Sequence, residues 1–120
     1  MSDRVPLSDV AAYARRVEAL GYDTLHVPET VHDGLMVSLL ALQATTRLRV
    51  TSSVILAFVR SPMLVAYTAW DLAQVGEGRF ELGLGAGWVA VPGLRLGASV
   101  QGVYRSTSSN VALEIGRAHV

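Results

Sequence analysis

The stretch RFELGLGAGW, Arg79 to Trp88, decides how this 120-residue chain is read. A strand-like run from Arg79 to Leu84 tips into glycines at alternate positions, Gly83, Gly85 and Gly87. Glycines so placed let backbone come close to a partner, often a phosphate or a cofactor. Three quite different enzyme classes use a loop of this kind, and the residues around it discriminate among them.

Immediately upstream, Gly76-Glu77-Gly78 reads as a turn. It follows the best-marked helix, with Ser61 as N-cap, Pro62 as first helical residue and Gly76 as the stop after Val75. Leu48 to Leu56 reads as a strand, alternating polar and apolar at first and then nearly all β-branched. Before it comes a helix, roughly Met36 to Thr45, apolar on most sides and capped by Asp33. Thr24 to Val27 is a short strand ending at Pro28-Glu29. The first helix has Ser8 as N-cap and Asp9 in its first turn, where negative charge suits the helix dipole. Val10, Ala14, Val17 and Leu20 fall on one of its faces, and Gly21 is placed for a left-handed cap. Strict alternation of strand and helix implies parallel strands joined by crossovers, so the class is α/β, either barrel or doubly wound.

Composition narrows the partners. Apolar residues make up 51% of the chain, high for so short a domain, which points to a piece of something larger. The ten basic residues, all Arg, balance ten acidic ones without forming a stripe, so nucleic acid is not an expected partner. With no Cys there is neither a disulfide frame nor a thiolate metal site, which fits a cytoplasmic location. Arg47, Arg49 and Arg60 break the apolar runs well short of the roughly 20 residues a membrane helix needs.

After Trp88 the character changes. No acidic residue occurs from Leu82 to Leu113, and Pro92-Gly93 stand where a helix is due. The last seven residues, EIGRAHV, are what GAGATCGGAAGAGCACACGTC encodes, a string resembling a sequencing adapter. The expected organisation is therefore 1–88 as authentic α/β domain, 89–113 of uncertain frame, and 114–120 as translated adapter.

Three readings compete for the loop. Against the dinucleotide fingerprint, Gly83 and Gly85 fit, but Trp88 occupies the third glycine position and no ribose-binding acid follows. ELGLGAG resembles the first motif of methyltransferases that use S-adenosylmethionine, with Glu81, Gly83, Gly85 and Gly87 in place, but the acid expected on the next strand is absent. The third reading uses more of the chain. GYDTLHVPET, TTRLRVTSSVILAF, RSPMLVAYTAWDL and GEGRFELGLGAG resemble, in order and spacing, the luciferase-like monooxygenase family.

That resemblance, from Leu7 to Gly87, implies a flavin- or deazaflavin-dependent oxidoreductase on a TIM (β/α)8 barrel. ETVHD and AFVRSP look closest to the deazaflavin branch, so reduced deazaflavin of the coenzyme F-420 type is preferred to FMN. The chain would hold about three βα units, strands two to four of eight, truncated at both ends and inactive alone. The parent would act on a small organic molecule, by hydride transfer or as a monooxygenase, and could be a homodimer.

The resemblance also marks site residues. Glu29 falls where the family has an acid at the C-terminal end of the second strand. The next position commonly carries His, but here it is Thr30, with His32 two residues on as a candidate substitute. Ser53 and Val54 match a bulge, often a non-proline cis peptide, against which the cofactor ring rests. Gly85, Ala86 and Gly87 match the loop whose backbone approaches the cofactor. Trp88 stands where some deazaflavin enzymes have a catalytic Glu. His26 is expected at the barrel wall, and Tyr67 and Trp70 in core or surface packing. No metal site is expected. The departures at Thr30 and Trp88 also motivate a non-catalytic barrel relative as an alternative, alongside the methyltransferase.

Overall fold

The computed structural model describes residues 1–2 and 4–85 with their side chains, and 88–91, 94–96, 102–107 and 110–115 by backbone. Helix α1 (Val10–Ala19) leads into strand β1 (Thr24–Val27), helix α2 (Gly34–Ala44), strands β2 (Arg49–Ser52) and β3 (Ile55–Leu56), helix α3 (Pro62–Val75) and strand β4 (Phe80–Gly85). Four further strands follow: β5 (Trp88–Val91), β6 (Leu94–Leu96), β7 (Gly102–Thr107) and β8 (Asn110–Ile115).

The main sheet runs β1-β2-β4-β7-β8, with β3 also beside β4. As expected of alternating strands and helices, β1, β2 and β4 are parallel, and β3 is parallel to β4. Beyond β4 the pattern departs from an all-parallel barrel. β7 is antiparallel to β4 and β8 antiparallel to β7, while β5 and β6 form a separate antiparallel pair. Thr107 and Asn110 pair across a two-residue connection, too short for the crossover that a parallel return requires.

One face of the parallel strands is covered by helices. Leu25, Val27, Val50, Phe80 and Leu82 are buried there against Leu35, Val37, Leu42, Val65 and Leu72 of α2 and α3. The alternate residues, Thr24, His26, Arg49, Thr51 and Glu81, occupy the other face, which is polar. His26 belongs to that face and is exposed, so it is not a packed wall residue.

Local signals were read correctly in part. Asp33 caps α2, its Oδ1 accepting from the Leu35 N–H at 2.8 Å and the Met36 N–H at 3.3 Å. Gly21 takes φ +88°, the left-handed cap expected. Ser8 is displaced from its expected place: it lies in a single 3-10 turn (Leu7–Asp9), donates to Asp9 Oδ1 and leaves Asp9 at the N-cap of α1. Leu20 is exposed, because the covered stripe of α1 is only Val10 and Ala14 with Val17 at its margin. Gly76 ends α3 but is right-handed; the left-handed residues are Glu77 and Gly78. What Gly76 supplies is closeness, since a Cβ there would sit 2.8 Å from Leu42 Cδ2 of α2. Of the core or surface positions expected for Tyr67 and Trp70, both take the surface, at 66% and 53% exposed.

The lower edge of the sheet, where strands begin, is held by two charged side chains bound to backbone. Glu18 accepts from the N–H groups of Thr46 at 3.1 Å, Arg47, and Leu48 at 2.9 Å. Arg79 donates to the carbonyls of Leu42, Thr45 and Leu48 and to Thr45 Oγ1, all within 3.1 Å. It thereby satisfies carbonyls that the end of α2 leaves open. The Arg47 N–H is the chief cause holding the Glu18 carboxyl below its usual value; burial opposes it, and the Leu48 and Thr46 N–H groups assist.

Candidate functional site

The residues expected to form a site gather at the opposite edge, where β1, β2 and β4 end. The strand expected from Leu48 to Leu56 is broken there. Register passes from Thr51 opposite Glu81 to Ile55 opposite Leu84, so the β2–β3 side carries one residue more than β4. The extra length forms a bulge at Ser53-Val54, whose peptide bond is cis. Ser53 is exposed and Val54 half-buried.

The bulge is tied to both neighbours. The Ser53 N–H donates to the Val27 carbonyl of β1 at 2.7 Å. On the β4 side the fully buried Ser52 hydroxyl donates to Gly83 O at 3.1 Å and accepts from Gly83 N at 2.8 Å. Both polar groups of Gly83 are thus satisfied where the ladder is interrupted.

The alternate glycines now have a physical cause. A Cβ on Gly83 would collide with the Ser52 carbonyl, and one on Gly85 with Val54 Cγ2. The space left by the missing side chains is filled by the bulge itself. Gly85 is buried at the end of β4; Ala86 and Gly87 lie outside the described residues.

Glu29 sits just past β1, its side chain only 12% exposed. One carboxylate oxygen pairs with Arg60 at 2.7 Å, and the other, Oε2, is buried without a hydrogen-bond partner. Arg60 also reaches Asp33 Oδ1 at 3.3 Å and the Leu56 carbonyl at 3.4 Å. The Glu29 hydrogen bond is the main cause raising the Arg60 guanidinium above its usual value; burial acts against it, and the charges of Glu29 and Asp33 add to it. Gly34, the first residue of α2, joins Glu29 to the bulged strand: a Cβ there would lie 3.2 Å from Ile55 Cγ2 and 3.5 Å from Glu29 Cβ. Thr30 on the same loop is exposed and His32 half-buried.

Glu29 and the Ser53-Val54 bulge are therefore neighbours through Gly34 and Ile55, and the bulge touches Gly83 and Gly85. Arg60 and Ser52 were missed as site residues by sequence reasoning. A lone Arg in the apolar run AFVRSP was the available signal for Arg60; nothing local marks Ser52. Among the described residues, no cluster of three or more His, Asp or Glu could hold a metal ion, and no helix is long and apolar enough to cross a membrane.

Parallel strands covered by helices define an α/β protein, and the candidate site residues collect at the C-terminal edge of those strands, where α/β proteins commonly bind ligands. The family model for luciferase-like monooxygenases matches residues 1–113, and the chain belongs to that family. Three uncharacterized mycobacterial proteins, one from Mycobacterium bovis and two from Mycobacterium tuberculosis strains, are each 39% identical over 79 residues. That alignment covers 66% of this chain and 23% of each relative, so the chain matches under a quarter of their length. The methyltransferase alternative gives way to this family. Glu81, the acid of that motif, is held by Arg49 at 2.7 Å and by the Thr51 hydroxyl at 3.3 Å.

Proposed function

We propose that the chain is the N-terminal part of a flavin- or deazaflavin-dependent oxidoreductase, with β1, β2–β3 and β4 as consecutive strands of a TIM barrel. The observation that carries this reading is the bulge pinned between Val27 and Gly83 at the C-terminal edge, with Val54 seated in the space left by Gly85. Such a bulge presents an exposed Ser53 and a half-buried Val54 beside the end of β4, a rim on which the flat face of a tricyclic ring would rest. Ser53, Val54 and Gly85, with Ala86 and Gly87 beyond the described residues, would border that ring. When bound, the cofactor supplies the hydride or oxygen chemistry, and the protein supplies position and electrostatics.

The loop after β1 faces the same edge and offers the groups for a small organic substrate. His32 carries the one imidazole on that loop and is our candidate for moving a proton; the Thr30 hydroxyl can orient but not replace it. The ETVHD and AFVRSP stretches support reduced deazaflavin over FMN, with hydride transfer as the reaction and monooxygenation as the second form. A cytoplasmic homodimer is the assembly we propose, supported by Met63, Leu64, Tyr67 and Trp70, all exposed on α3. Oxidation of reduced deazaflavin by the intact protein, followed by the ring's absorbance and compared with reduced FMN, tests the reading. Binding of neither ring would overturn it.

A further inference from the structure

The resemblance makes Glu29, with Thr30 and His32, a candidate catalytic residue, yet the contacts of its carboxylate point to another task. Arg60 lies between three elements: Glu29 after β1, Asp33 at the cap of α2, and the Leu56 carbonyl of β3. Its side chain is 15% exposed and that of Glu29 12%. Both charges are largely withdrawn from water, so each depends on the other. Asp33 Oδ1, one of the Arg60 contacts, is the same atom that caps the Leu35 and Met36 N–H groups.

We infer that Arg60 is a positioning residue that clamps the loop after β1 and the start of α2 onto the bulged strand, with Glu29 as its fixed anion and not a proton carrier. The unpartnered Glu29 Oε2 fits this role. It is buried beside Gly34, away from solvent, where it can polarise the ion pair but reach no substrate. Planarity matters, because a guanidinium can hold Glu29 and Asp33 at once from separate nitrogens, and an ammonium cannot do so in the same geometry.

The inference deepens the proposed redox function, and its test separates the two. In the intact protein without cofactor, amide hydrogen exchange is measured at Leu35 and Met36 for wild type, Arg60→Met, Arg60→Lys, Glu29→Gln and the double variant Arg60→Met/Glu29→Gln. Arg60→Met leaves a buried carboxylate without its partner and should speed exchange about tenfold or more. The double variant removes both charges and should return exchange to within about threefold of wild type. Arg60→Lys should fall between them, and decides the matter if Arg60→Met does not fold.

Titration with deazaflavin and FMN then ranks ring affinity in the same variants. The clamp predicts that the double variant binds more tightly than either single one. Unchanged exchange in both Arg60 variants, or a double variant no better than the singles, overturns the inference. If the wild type binds neither ring while the exchange order holds, the clamp stands and the redox reading falls.

Discussion

The two edges of the parallel sheet are both held by charged side chains, but in different ways. At the lower edge Glu18 and Arg79 bind main-chain groups and the Thr45 hydroxyl. At the upper edge Arg60 pairs with both Glu29 and Asp33, and one buried oxygen of Glu29 is left without a hydrogen-bond partner. Charge spent on otherwise open peptide groups stabilises the chain with little ambiguity. Charge paired with charge costs desolvation and fixes geometry instead, as expected where a site must be positioned. Under the proposed function, the lower edge would serve stability and the upper edge the site, the division usual in TIM barrels.

The largest effect expected from a single substitution lies at the upper edge. Gly83→Ala drives a Cβ into the Ser52 carbonyl, backbone that cannot yield without undoing the bulge. A loss of about 4 kcal/mol or failure to fold is expected in urea unfolding. Tolerance of alanine would break the account of why glycines alternate there.

Arg79→Leu comes next. It strips donors from three carbonyls and the Thr45 hydroxyl and should cost about 3 kcal/mol in the same assay. Ring binding, measured where the variant is folded, should hardly change. Asp33→Ala sharpens the comparison, because Asp33 serves both as helix cap and as Arg60 partner. About 1 kcal/mol of stability should go with the cap, together with part of the ring affinity.

The smallest effect belongs to Glu18. Its folded carboxyl titrates below the ordinary value, so its contribution is complete above the unfolded pKa of about 4.3 and is lost as pH falls through the folded one. Glu18→Gln should cost under about 1 kcal/mol at neutral pH, given its solvent screening, and should flatten the stability profile below about pH 4. A variant profile identical to wild type on the acid side would remove Glu18 from the lower-edge network.

How far these edges could be read from sequence differs in the same way. Asp33, Pro62 and Gly21 act within a few residues of themselves, and their roles were legible. Gly83 and Gly85 announced a close approach but not its partner, because Ser52 and Val54 come from a strand some thirty residues earlier. Arg60 pairs across 31 residues with Glu29, a distance that no local pattern encodes. Whether Tyr67 and Trp70 face the core or the surface was left open because α3 is apolar nearly all round, so periodicity could not select its covered face. The antiparallel β7 and β8 were missed for another reason: 89–113 was set aside as of uncertain frame and 114–120 as adapter, although Val111, Leu113 and Ile115 alternate along β8 as strand residues do.

The most direct test of the division between edges is a fluorescence titration of the intact protein with deazaflavin and FMN, run on wild type, Ser53→Trp and Arg79→Leu. The account predicts that Ser53→Trp loses ring binding at least about tenfold while unfolding as wild type does, and that Arg79→Leu does the reverse. Equal loss of ring binding in both variants, or undiminished binding with a tryptophan at the bulge, would contradict it.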